Sequence, residues 1–383
     1  MALDLNLLSI KLKKYRNNFL ISQENLSLKT GITIDRLNAI ETGSLEPTGD
    51  EILIFADIYR CDYKYFISNE IEPNFEKIDK LFRKYGNDLH ANDRWAIQEC
   101  IFLAENEAFL DRELGSKPSS NFIYQKTGKY YKGHAYEAAN RLREQLYPSN
   151  NREFVLNIYD DFRKIGINIY RRKLANSNIS GITLKHSSIG KFILVNYNED
   201  IFRQRFTVAH EAAHAIFDLD ESDDYFSKSK WNRDDLVEIR AHTFASAYLA
   251  PSFILNNIPD NKSWSSKKLI EWAIKLKISV PALLMALKDR KLISDEYYNT
   301  FESISIPSEY KIDPELKGLS GKSLDRRIYL LEKGISPSYI HKCKSAYERN
   351  IISAGKMAEM LLIDYQELYD INELFQLGIS YEN

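Results

Sequence analysis

Cysteine is scarce: the 383 residues hold three, Cys61, Cys100 and Cys343, far apart and with no C-x-x-C pair. That excludes a disulfide framework and a cysteine-built zinc site, and it suits a reducing cytoplasm. No apolar run approaches the roughly 18 residues of a membrane helix. Met1 to Ser9 lacks the charged start and cleavage site of a signal peptide. An excess of charge is missing too. With 52 Lys and Arg against 54 Asp and Glu, the net charge is −2, which excludes a strong general attraction to nucleic acid or anionic membranes. Internal repeats and low-complexity tracts do not stand out. The remaining composition, 44% hydrophobic and 28% charged, is that of a soluble globular protein long enough for two or three domains.

Histidine is also rare, at seven residues, yet two stand four apart in His210-Glu211-Ala212-Ala213-His214. No Gly or Pro interrupts Thr207–Phe217, and Val208, Ala212, Ala215 and Ile216 give that helix a buried side. Residues four apart share a helix face, so His210 and His214 can bind one zinc ion at about 2.0–2.1 Å. Glu211 then lies near the open coordination position and can take a proton from water. A catalytic zinc takes a third protein ligand. The best candidate is Glu238, in the Ala-rich helical run that Pro251 ends, where Glu238, Ala241, His242 and Ala245 share a face.

The N-terminal 70 residues read as a set of five helices. Leu5, Leu8, Leu12 and Tyr15 recur at helical spacing, Ser22 and Thr33 are N-cap candidates, Gly31 and Gly43 are stops, a fourth helix follows Pro47-Thr48, and Asp62 caps a short fifth. The Gly-containing turn Lys29-Thr30-Gly31-Ile32 has helix-turn-helix spacing. The stretch Ile21-Ser22-Gln23-Glu24-Asn25-Leu26, Gly31-Ile32-Thr33, Leu37 to Gly43 and Pro47-Thr48 resembles the Xre-type phage-repressor helix-turn-helix. By that resemblance Gln23 and the helix Thr33–Glu41 face DNA, with Ile34, Asp35, Arg36 and Asn38 as the exposed candidates. Physics opposes strong binding. Residues 1–70 carry eight Lys/Arg against ten Asp/Glu, and only Lys11, Lys13, Lys14 and Arg16 cluster, so few phosphates are neutralised. DNA binding and protein docking both remain open.

Residues 71–120 read as an amphipathic helical spacer, with Ile78, Leu81, Phe82 and Tyr85 on one face, followed by the linker Gly115-Ser116-Lys117-Pro118-Ser119-Ser120. Within 121–290, helical stretches at about 134–147 and 151–165 precede three strand-like runs at 167–171, 179–184 and 191–196. They are expected to form a small antiparallel sheet packed on the zinc-binding helix. Tyr136–Arg143, Phe192–Asn196, Arg203–His214 and Glu238–Ala245 together resemble the ImmA/IrrE family of metallopeptidases, over about 120–290.

That resemblance implies zinc on His210, His214 and Glu238, Glu211 as general base, and a regulatory protein substrate, commonly a repressor or antitoxin cut at a limited site. Members fused behind an Xre-type module are familiar. Two positions depart from the family pattern: His242 stands where Asn or Asp is usual, and Leu249-Ala250-Pro251 lacks the expected Met. His242 is a candidate for orienting a ligand, donating to the oxyanion, or acting as an alternative ligand; Tyr170, His186 and Tyr248 are further oxyanion candidates.

The expected fold is mainly α with an α+β catalytic core. It comprises a helix-turn-helix bundle (1–70), a spacer (71–120), the zinc peptidase (121–290) and a helical C-terminal region (291–383) that is a candidate interaction or homo-oligomerisation element. Other functional readings are a transcriptional regulator with a sensory zinc domain, and the peptidase toxin of a toxin–antitoxin or phage-defence pair.

Overall fold

A computed structural model describes residues 3–69, 89–128, 131–148, 154–176, 178–186, 189–219, 227–228 and 235–375. The chain divides into two compact units, Met1–Asn106 with Leu174–Asn176, and Glu107–Lys173 with Ser177–Asn383.

In the first unit, five helices follow the expected signals: α1 (Leu5–Asn18), α2 (Gln23–Thr30), α3 (Ile34–Glu41), α4 (Gly49–Tyr59) and α5 (Lys64–Ile67). Ser22 and Thr33 cap α2 and α3 by accepting from the backbone N–H three residues on. Gly31 closes α2 in the left-handed conformation, φ +72°, which glycine adopts without strain. Thr48 and Glu51 form a reciprocal capping box at α4. Leu8, Leu12, Tyr15, Leu26, Leu37, Ile40, Phe55 and Tyr59 form the buried interior.

The expected face of Ile78, Leu81, Phe82 and Tyr85 lies outside the described residues. From Ala91 one 24-residue helix, α6 (Ala91–Leu114), continues, and its Trp95 stacks on Phe19 at 4.2 Å. The boundary between the units falls inside α6, after Asn106.

The second unit is built on a sheet of β1 (Ile167–Arg172), β2 (Gly181–His186), β3 (Gly190–Asn196) and the two-residue β4 (Ser227–Lys228), in the order β1-β3-β2-β4. The expected antiparallel sheet is corrected here. β2 and β3 are an antiparallel pair, but β1 runs parallel to β3, with Ile169 opposite Ile193. Strand periodicity reports which residues alternate, not which neighbour a strand selects; β1 skips β2 and pairs with the central β3. The outer edge of β1 is covered by the chain at Lys333, through an antiparallel bridge at Arg172.

Helices α7 (Tyr131–Leu146) and α8 (Ile158–Lys164) precede the sheet; α9 (Ile201–Phe217) and α10 (Leu236–Leu249) follow β3. α9 and α10 pack on each other; Ala209, Ala212, Ala213, Ala241 and Ala245 on them are all buried, and small side chains let helix axes approach closely. α11 (Ser252–Asn256), α12 (Ser266–Leu276), α13 (Val280–Asp289) and α14 (Asp295–Phe301) extend the same hydrophobic core. The C-terminal region adds α15 (Gly321–Glu332), α16 (Pro337–Glu348), α17 (Ala354–Met360) and α18 (Leu368–Phe375).

Candidate metal centre

The histidine pair is carried by α9. Asp200 caps this helix by accepting from the N–H groups of Phe202 and Arg203, and the uninterrupted turns that follow place His210 and His214 on one face. Their Nε2 atoms stand 3.2 Å apart. α10 crosses beside them and presents Glu238: Oε2 lies 3.2 Å from His210 Nε2, and Oε1 lies 3.4 Å from His214 Nε2. The three side chains form a group whose donor atoms all lie within 4.8 Å of one another.

The spacing fits zinc. Ligand atoms about 2.0–2.1 Å from a tetrahedral ion are about 3.3–3.4 Å apart; the two imidazole nitrogens stand 3.2 Å apart, and each faces a different oxygen of the Glu238 carboxylate, at 3.2 and 3.4 Å. Two imidazole nitrogens and a carboxylate are also a borderline donor set of the kind zinc takes.

The crowding of these groups sets their protonation. Burial works against charge on His214, but hydrogen bonds to Asp218 and Glu238 outweigh it and hold its pKa up to about 9. Burial alone would raise Glu238, yet the two imidazoles bring it down to about 2. The His214 proton therefore contributes stability that is full below the ordinary value of 6.5 and is lost as pH rises through about 9. A metal must displace that proton. Zinc affinity is thus expected to rise from about pH 6 to about pH 9, with protons released on binding. A chelator-competition titration across this range checks it; a flat profile contradicts a ligand role for His214.

Glu211 is not part of the triangle. It is fully buried, and Thr183 Oγ on β2 lies 2.5 Å from its Oε2 and 3.0 Å from its carbonyl oxygen. Gly181 makes this contact possible. A Cβ there would stand 2.7 Å from Thr207 Cγ2 and 2.9 Å from Glu211 Cγ, so any side chain would push β2 off the helix. Neither Thr183 nor Gly181 carries a sequence signal, because the contact depends on which strand lies over α9.

Asp218 was also missed. Its carboxylate accepts from His214 Nδ1 at 2.9 Å and pairs with buried Arg240 on α10. Its position four residues after His214 was legible as a shared helix face. A carboxylate on the far nitrogen fixes the tautomer and orientation of a ligating imidazole. Asp218→Ala is expected to weaken zinc binding by about 10–100-fold, measured by chelator competition; unchanged affinity would make the contact purely structural.

His242 lies one helical turn beyond Glu238, its ring 5.6 Å from that of His210. Burial first, and then His210, push its pKa down to about 3, so it is a neutral imidazole beside the cluster. The other oxyanion candidates are engaged elsewhere or lie at the sheet: the Tyr170 hydroxyl donates to Glu107, Tyr248 donates to Asp161 at 2.8 Å, and His186 ends β2. Asp235 caps α10 by accepting from Val237 N–H; Asp234 lies outside the described residues.

In the helix-turn-helix, Ile34, Asp35 and Asn38 are exposed on α3. Arg36 is held by Glu51 of α4, with Nη2 at 2.8 Å from Oε2. Gln23 donates to Glu41 at 3.0 Å, on the carboxylate that also takes a two-pronged contact from Arg16. Lys11 is buried, its ammonium donating to the carbonyls of Tyr65 and Ser68. Two of the four clustered cations, Lys11 and Arg16, thus serve the interior of the bundle, while Lys13 is exposed.

Comparison with known families agrees with both halves. Residues 162–288 match the IrrE N-terminal-like domain of the Peptidase_M78 family, and residues 12–66 match a helix-turn-helix family. A search of curated proteins finds no match. Among the described residues, no helix is long and apolar enough to cross a membrane.

Proposed function

We propose that the chain is a zinc-dependent endopeptidase of the cytoplasm that cuts a regulatory protein, a repressor or an antitoxin. The observation that carries this reading is the cluster of His210, His214 and Glu238, whose ligand atoms lie within 4.8 Å of one another, with Glu211 buried beside it. Zinc held there would supply a Lewis acid that acidifies water and polarises a peptide carbonyl. Glu211 takes the proton of the attacking water and returns it to the leaving amine. Thr183 holds that carboxylate in place, Asp218 orients His214, and His242, a neutral imidazole beside the cluster, would donate a hydrogen bond to the reacting carbonyl.

The test is a comparison of protein N-termini in cells producing wild type or Glu211→Gln. One or a few new termini are expected in wild type alone. Identical sets of termini in both would overturn the proposal.

The helix-turn-helix would then bring the peptidase to DNA or to a partner protein. With Arg36 paired to Glu51 and Gln23 to Glu41, DNA affinity is expected to be modest. Its salt slope should correspond to about two to four phosphate contacts. Asn38→Ala should relax sequence preference, while Lys13→Ala should weaken binding to all sequences alike. Gel shifts on the gene's own upstream region check this. Absence of selective binding at low salt favours protein docking.

A further inference from the structure

A cavity of about 410 Å³ lies between α10, α13 and α14. It adjoins the ligand cluster, because Glu238 and His242 form part of its wall. Ser246 lies one turn further along α10, so Glu238, His242 and Ser246 make a stripe about 12 Å long at about 1.5 Å per residue. Met285 of α13 and Tyr298 of α14 supply apolar surface opposite that stripe.

Two features define what fits. First, the lysines that line the cavity already face carboxylates: Lys132 lies 3.9 Å from Asp289, and Lys288 lies 3.0 Å from Asp295. Glu238, Asp289 and Glu302 also line the cavity, so an anionic occupant is repelled, and a cationic one would have to give up its hydration for carboxylates of which Asp289 already faces Lys132 and Glu238 the two imidazoles. Second, Ser246 is only 7% exposed, and its hydroxyl has no hydrogen-bond partner among the described residues. A buried hydroxyl left unpaired is costly, and an occupant carrying a polar tip relieves it.

We propose that this cavity receives the substrate side chain next to the scissile bond, and that it selects a large uncharged one, with tyrosine the best occupant. Its ring would lie against Met285 and Tyr298, with its hydroxyl toward Ser246. The inference rests on the peptidase reading and narrows its substrate class.

The test measures binding rather than turnover. Full-length, zinc-loaded protein is titrated by calorimetry with short peptide hydroxamates, which chelate zinc through a common head and differ in one side chain: glycine, leucine, tyrosine, tryptophan, lysine or aspartate. Tyrosine is expected to bind at least about tenfold tighter than glycine, the scale on which apolar pockets discriminate, with lysine and aspartate no tighter than glycine. Met285→Trp fills the cavity from α13 and should erase the tyrosine preference; if that variant fails to fold, Met285→Ala should enlarge the cavity and move the preference toward tryptophan. Equal affinities across the series, a preference for a charged side chain, or a tyrosine preference that survives Met285→Trp would overturn the cavity assignment while leaving the peptidase reading intact. A chain that takes up no zinc overturns both.

Discussion

Glu211→Gln is expected to keep its zinc and lose peptide cleavage by about 10²–10⁴-fold, the usual contribution of a positioned general base. Glutamine has nearly the shape of glutamate, so the packing against Gly181 and the contact with Thr183 can persist. What disappears is the ability to accept a proton. Because the donor triangle contains His210, His214 and Glu238 but not Glu211, zinc content should match wild type. Cleavage of the substrate identified by its new terminus, measured alongside metal analysis, checks both halves. Loss of zinc in this variant would show that Glu211 ligates; undiminished cleavage would show that another group is the base.

Glu238→Ala is expected to lower zinc affinity by more than about 100-fold, at or beyond the upper end of what loss of a ligand's supporting partner costs, and to stop cleavage with it. Asp235→Ala is the control. Asp235 sits on the same segment, but its carboxylate caps α10 at Val237, so its loss should cost about 1 kcal/mol of stability and leave metal affinity near wild type. The reverse outcome, with affinity falling for Asp235→Ala and not for Glu238→Ala, would mean that α10 is turned differently from the structure.

The parts of this molecule that were legible in the sequence are those in which chemistry repeats at helical spacing. His210 and His214 four apart, Glu238 on an alanine-rich run, and the Ser22 and Thr33 caps all announce themselves within a single helix. The structure brings the first three side chains together. What was not legible depends on contacts between elements distant in sequence. The parallel pairing of β1 with β3 is a choice among neighbours, and alternation along each strand is the same whichever is chosen. Thr183 and Gly181 matter because β2 lies on α9 nearly thirty residues away.

The basic cluster of α1 misled for a related reason. Lys11 and Arg16 look like surface cations in the sequence, but the bundle folds Lys11 onto the carbonyls of Tyr65 and Ser68 and pairs Arg16 with Glu41. Asp218 is an intermediate case: its spacing from His214 was visible, and its role became apparent only with Arg240 beside it.

Zinc K-edge X-ray absorption on the metal-loaded protein, compared with a His210→Ala, His214→Ala double variant, tests the central assignment most directly. The account predicts one zinc per chain in wild type, with two imidazole nitrogens and a carboxylate oxygen at about 2.0–2.2 Å, and loss of that centre in the double variant. A full equivalent of zinc retained in the double variant, or a wild-type spectrum without paired imidazole ligands, would contradict it.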